Sequence, residues 1–156
     1  MNLRSAWTRY RSWTAAQRRV FWRASFELPL AWLRLQRHGA EPLRARLASA
    51  APPGAPLPLD ELVATASIVN AAARRSPFPV TCLTRSIVLQ DLLRERGAAC
   101  DLRIGVQLAG GTLAAHAWVE SAGTPLNDAP DVASRFAPFA PLSPHVPLPA
   151  FPKEGA

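Results

Sequence analysis

An α+β fold, with a cysteine-bearing helix packed on an antiparallel sheet and preceded by N-terminal helices, follows from three observations. Residues 60–96 place apolar side chains at helical spacing. Residues 102–128 alternate apolar and polar positions, with two tight-turn signals between the runs. Residues 3–37 form an aromatic, arginine-rich segment ahead of both. The 156-residue chain is 49% hydrophobic, enough for one globular core.

Each element has its own warrant. Residues 3–37 read as one or two helices, with Trp7, Tyr10, Trp13, Phe21, Trp22, Phe26, Trp32 and Leu35 as the apolar part. Pro29 is expected to break or kink them, because it lacks an N–H and crowds the preceding turn. Pro52, Pro53, Gly54, Pro56 and Pro58 mark a linker over 49–58. Three parts are therefore expected: a basic N-terminal segment with linker over 1–55, a catalytic core over 56–137 and a proline-rich tail over 138–156.

The spacing of Leu62, Ala66, Val69 and Ala73 predicts a helix over 60–75, with Asp60 and Glu61 at its positive end and Arg74 and Arg75 at its negative end. Ser76-Pro77-Phe78-Pro79 stops it. A third helix runs from Cys82 to about Arg96, with Thr81 as N-cap and Gly97 as the left-handed residue that ends it. Two strands follow: Leu102, Ile104, Val106 and Leu108 share one face, as do Leu113, Ala115, Ala117 and Val119. Ala109-Gly110-Gly111-Thr112 is a two-residue hairpin signal, and Ser121-Ala122-Gly123 reads as a three-residue turn into a third strand.

Charge and composition narrow the function. Residues 1–46 hold ten arginines against Glu27 and Glu41, whereas the remainder is nearly neutral, so the net +7 belongs to the N-terminal segment. No nucleic-acid-binding module accompanies that charge, and no nucleic-acid partner is expected. A solvated helical face covering the sheet, or docking to an acidic partner, accounts for it; contact with a membrane surface is the minor reading. Arginines interrupt the N-terminal apolar residues, so no signal peptide is read, and no apolar window is long enough for a membrane span. A cytoplasmic location, where a thiol stays reduced, is expected. The two cysteines, Cys82 and Cys100, lack metal-ligand spacing, so no metal is expected.

The chemistry lies in the order Cys82, His116, Asp128: a nucleophile, a base and an orienting carboxylate. A lone cysteine on an apolar helix is more often a small hydrophobe, and Cys82 shares a stripe with Ser86, Leu89 and Leu93. Turn chemistry weighs the other way. If both hairpins are in register, Gly105 opposes His116 and His116 opposes Asp128, while Asn127 points to the opposite face. A bulge at Gly123 would move the register by one and favour Asn127. Cys82 in a first helical turn gains from unpaired N–H groups that stabilise a thiolate, and its own N–H is placed for an oxyanion. Gly105 leaves room beside the imidazole for substrate, and Trp118 shares that face; both are candidate substrate-binding residues. If the cysteine helix covers the His116 face, the apolar face needs another cover, for which the N-terminal helices are the candidate. Cys100, at a strand start, reads as structural.

Five blocks in order carry a resemblance: Pro79-Val80-Thr81-Cys82-Leu83-Thr84-Arg85-Ser86, Leu92-Leu93-Arg94-Glu95-Arg96-Gly97, Leu102-Arg103-Ile104-Gly105-Val106, Ala115-His116-Ala117-Trp118-Val119-Glu120 and Leu126-Asn127-Asp128. Together they resemble the transglutaminase-like, papain-like leader peptidases of lasso-peptide biosynthesis, in particular the stand-alone protease half. The resemblance covers about residues 60–132. It implies a cysteine peptidase that removes the leader from a ribosomally made precursor, with Cys82 as nucleophile, His116 as general base and then acid, and Asp128 orienting the imidazole. It implies no intrinsic cofactor, ATP being used only by a partner asparagine-synthetase-like macrolactam synthetase. The other implied partners are the precursor's leader peptide and a separate leader-binding protein. A non-catalytic adaptor carrying precursor between partners, and an acyl transferase or amidase using the same three residues, are the alternatives.

Overall fold

The structure is a computed structural model that describes residues 10–39, 57–109 and 111–138. The predicted helix residues before Tyr10, the linker up to Pro56 with the boundary near residue 55, and the tail after Pro138 lie outside the described residues. Three helices come first: α1 (Ala15–His38), α2 (Leu59–Ala73) and α3 (Cys82–Arg94). Strands β1 (Asp101–Ala109), β2 (Thr112–Ser121) and β3 (Thr124–Pro125) follow, then a single-turn α4 (Val132–Arg135) and β4 (Ala137–Pro138). The sheet is antiparallel in the order β3-β2-β1-β4.

Helix α1 runs through Pro29 without ending there. Its start is fixed by a reciprocal cap that the sequence reading missed: the Thr14 side chain accepts from the Gln17 N–H, and the Gln17 side chain accepts from the Thr14 N–H. Phe21, Ala24 and Leu28 are buried before Pro29, and Ala31 and Leu35 pack against the same core beyond it, so tertiary packing supports the helix on both sides of the proline. Helix α2 is capped at its C-terminus by Arg75, whose guanidinium donates to the Ala71 carbonyl. Helix α3 begins as predicted, with the Thr81 hydroxyl accepting from the Thr84 N–H at 3.2 Å. It ends two residues early, and Gly97 takes φ +81° just beyond.

Helix α3 lies on β1 and β2, and α1 and α2 pack on α3 and on each other. One buried cluster joins Phe21 and Leu28 of α1, Leu62 and Val69 of α2, Leu89 and Leu93 of α3, and Leu102, Ile104, Ala117 and Val119 of the sheet. The apolar face of the sheet is therefore covered by the cysteine helix, and α1 forms an outer helical layer. This reverses the arrangement in which the N-terminal helices cover that face. Cover stops short of the hairpin tip, where Leu108 and Leu113 are 73% and 52% exposed.

The first hairpin has the predicted register, with Leu108 opposite Leu113 and Gly105 opposite His116. The second differs. Ser121 pairs with Thr124 across a two-residue turn in which Ala122 and Gly123 both have positive φ, at 47° and 77°. The ladder then stops at Pro125, so Asp128 is not a cross-strand neighbour of His116 and belongs to a bend beyond the strand.

Candidate active site

Three elements bring Cys82, His116 and Asp128 together. Cys82 opens α3, whose first turn abuts β2 where β3 no longer covers its edge. There the Ala117 backbone turns toward α3: its N–H meets the Cys82 sulfur and its carbonyl accepts from the Ser86 hydroxyl, one helical turn on, at 3.0 Å. His116 is bonded to the Cys82 thiol on one side and, through Nε2, to Asp128 Oδ2 at 2.7 Å on the other. Nε2 being engaged, Nδ1 is the ring nitrogen that faces the sulfur. Asp128 takes its position from the bend rather than from the strand register, and it is Asp128, not Asn127, that reaches the imidazole.

The carboxylate is held on several sides. Asp128 Oδ1 accepts from the Ala129 N–H at 2.8 Å, and Arg85 and Arg135 stand 3.6 Å and 3.4 Å from its oxygens. Burial pushes the Asp128 carboxyl up, but the His116 hydrogen bond, the Ala129 N–H and the neighbouring charges bring it below its ordinary value. Burial likewise pushes the Cys82 thiol up, and the His116 bond with the Ala117 and Leu83 N–H groups brings it below its ordinary value. The Cys82 bond raises His116; burial opposes this and Asp128 adds to it. The arrangement favours a thiolate–imidazolium pair backed by an ionised carboxylate.

The floor beneath His116 is packed. Trp118 is fully buried and stacks on the imidazole at 6.2 Å between ring centroids, and its indole N–H donates to Glu120 Oε1 at 2.7 Å. Phe136, carried by α4 and β4, lies 4.8 Å from the imidazole. A Cβ on Gly105 would sit 2.9 Å from the Trp118 ring and 3.0 Å from both the Ala137 carbonyl oxygen and Phe136 Cβ. The room predicted beside Gly105 is thus filled by the protein itself. Trp118 and Gly105 pack beneath the imidazole. Phe136 and Arg135 entered no sequence-based reading of the site, Arg85 and Ser86 entered only as neighbours of Cys82, and Asn127 entered only as the alternative orienting residue of a bulged register. Only Ser86 and Asn127 carried a signal, as polar residues within apolar blocks.

Cys100 sits at the other end of the layer, 2% exposed, and burial pushes its thiol up to about 11. Among the described residues, no three of His, Cys, Asp and Glu are grouped to hold a metal ion. No described helix is long and apolar enough to cross a membrane.

A helix-borne thiol, a strand-borne imidazole and a carboxylate on a bend, set on an α+β scaffold, define the layout of a papain-like thiol site. In agreement with it, a family model described as the transglutaminase-like superfamily matches residues 22–140, and the chain belongs to that superfamily. No curated protein and no solved structure shows significant similarity to the chain. The family match begins within α1, in keeping with the core that α1 shares with the sheet.

Proposed function

We propose that the chain is a cysteine peptidase that removes the leader from a ribosomally made lasso-peptide precursor, before a partner cyclase closes the macrolactam. The observation that carries this reading is the Cys82–His116–Asp128 constellation, with its short Nε2 to carboxylate bond, inside a transglutaminase-like domain. The five sequence blocks around those residues support the narrower assignment.

In the reaction the Cys82 thiolate attacks the carbonyl carbon of the leader–core amide. The Cys82 N–H, at a helix start where no intrahelical acceptor exists, donates to the oxyanion. Collapse breaks the C–N bond, and the His116 imidazolium gives its proton to the departing core amine. His116 then takes a proton from water, whose oxygen attacks the thioester, releasing the leader as a carboxylate and restoring the thiol. Asp128 holds the imidazole so that Nδ1 faces the sulfur throughout. No cofactor enters these steps; recognition of the leader falls to a separate binding protein.

The test is cleavage of the genuine precursor with its leader-binding partner, read by mass. Wild type is expected to give leader acid and free core amine, and Cys82→Ala and His116→Ala to give neither. Unchanged cleavage by either variant overturns the assignment. An acyl transferase is the second reading, favoured by the superfamily itself; it would give a product bearing an added amine in place of water. Slow, equal alkylation of Cys82 and Cys100 near neutral pH would support the adaptor instead.

A further inference from the structure

The free edge of β2 beyond β3 is completed by side chains. Asn127 Nδ2 donates to Ser86 Oγ at 2.9 Å, and Ser86 Oγ donates to the Ala117 carbonyl at 3.0 Å. The Val119 N–H donates to Asn127 Oδ1 at 2.8 Å, while the Leu126 N–H donates to the Val119 carbonyl at 2.8 Å. Asn70 of α2 adds a bond to the Asn127 carbonyl at 3.3 Å. Ser86 and Asn127 are both buried, so their polar side chains rely on these bonds in place of water. Three members also lie close in sequence to a site residue: Ser86 is one turn after Cys82, Ala117 follows His116, and Asn127 precedes Asp128.

We propose that Ser86 and Asn127 are positioning residues, a buried tie that sets α3, β2 and the Asp128 bend in mutual register and so fixes the distances within the Cys82–His116–Asp128 site. Ser86 holds the Ala117 carbonyl, which fixes how α3 sits along β2 and places the Cys82 sulfur at the Ala117 N–H. Asn127 stands in for the strand that Pro125 ends, and it anchors the bend one residue before the carboxylate. A displacement of about 1 Å at such a site costs on the order of 10²-fold in rate. The tie rests on the reading of Cys82, His116 and Asp128 as a working triad, but it can be examined without substrate.

The experiment is the pH dependence of Cys82 alkylation by iodoacetamide in the intact full-length chain, since alkylation follows the thiolate. The charged groups around this thiol and imidazole are Asp128 from the bend, Arg85 from α3 and Arg135 from α4, and all stay unchanged in the variants. Asn127→Ala and Ser86→Ala are expected to move the midpoint upward and to slow alkylation near neutral pH by about tenfold. Ser86→Thr, which keeps the hydroxyl, is expected to retain the wild-type midpoint. Leu28→Ala, buried in α1 away from the sheet, controls for instability: its melting point falls while its alkylation profile stays. If Asn127→Ala does not fold, the Ser86 pair decides. A folded Asn127→Ala or Ser86→Ala protein with the wild-type profile overturns the tie. A wild-type chain with a depressed Cys82 midpoint that cleaves no precursor overturns the peptidase reading alone, and a shifted midpoint in the variants then still supports the tie.

Discussion

Cys82 and His116 titrate as a pair, and each is the other's strongest charge-stabilising neighbour. Replacing Cys82 with alanine removes the main influence that raises His116, so the imidazole of Cys82→Ala is expected to titrate lower than in wild type, as read by NMR of the ring. Asp128→Asn removes the carboxylate that orients the ring and is expected to slow precursor cleavage by roughly 10²-fold or more without abolishing it. Asp128 also ties stability to acid. Its folded value lies below the ordinary 3.8, so its contribution is present above about pH 3.8 and lost as pH falls through the lower folded value. Melting curves of wild type and Asp128→Asn should accordingly converge as pH falls through that range, and a gap that stays constant would contradict the assignment. Cys82 and His116 were readable because helix capping and the first hairpin are local, whereas Asp128 meets the ring from a bend and not through the expected cross-strand register. The role of Asn127 was not readable: the expected register puts it on the opposite face from His116, and its amide bonds Val119 and Ser86, contacts made only by tertiary packing.

Elements decide how firmly those residues are held. The second hairpin places Ala122 at φ 47°, a left-handed conformation that costs a non-glycine residue about 1 kcal/mol. Asparagine tolerates it better and leads the Asn-Gly preference of such turns, so Ala122→Asn is expected to stabilise the protein by about 0.5–1 kcal/mol in denaturant unfolding. The opposite sign is expected at Gly105, where a methyl group meets an indole ring and a backbone carbonyl oxygen. Gly105→Ala should cost about 1–3 kcal/mol, seen as a lower melting point. The helices and the first hairpin were legible because their periods and stop signals are strong. The second turn was misjudged by one residue, since a reading by residue preference puts a left-handed conformation on Gly123 and not also on Ala122. Pro29 does not end its helix for a related reason: helix propensity is local, and core packing before and after the proline outweighs it.

At the scale of the whole molecule, the layers explain why the site sits where it does. The helical layer buries the apolar face of the sheet, and only the first turn of α3, at the edge of β2, can present a thiol to the other face. The α+β class was evident from the sequence, but the pairing of layers was not, because which helix covers which face depends on contacts between distant segments. The same layering separates the two thiols. Cys100 touches the α3 residue Gln90, eight positions along the helix from Cys82, which is about 12 Å of rise. Toward an oxidant this separation is decisive. Peroxide reacting with the Cys82 thiolate gives a sulfenic acid and hydroxide, and no second thiol of the chain can reach it to form a disulfide. Mass spectrometry should show one added oxygen, reversed by an external thiol, and then a second that is not reversed. An internal disulfide appearing instead would contradict the separation. The chain thus depends on thiols outside itself to restore its sulfur.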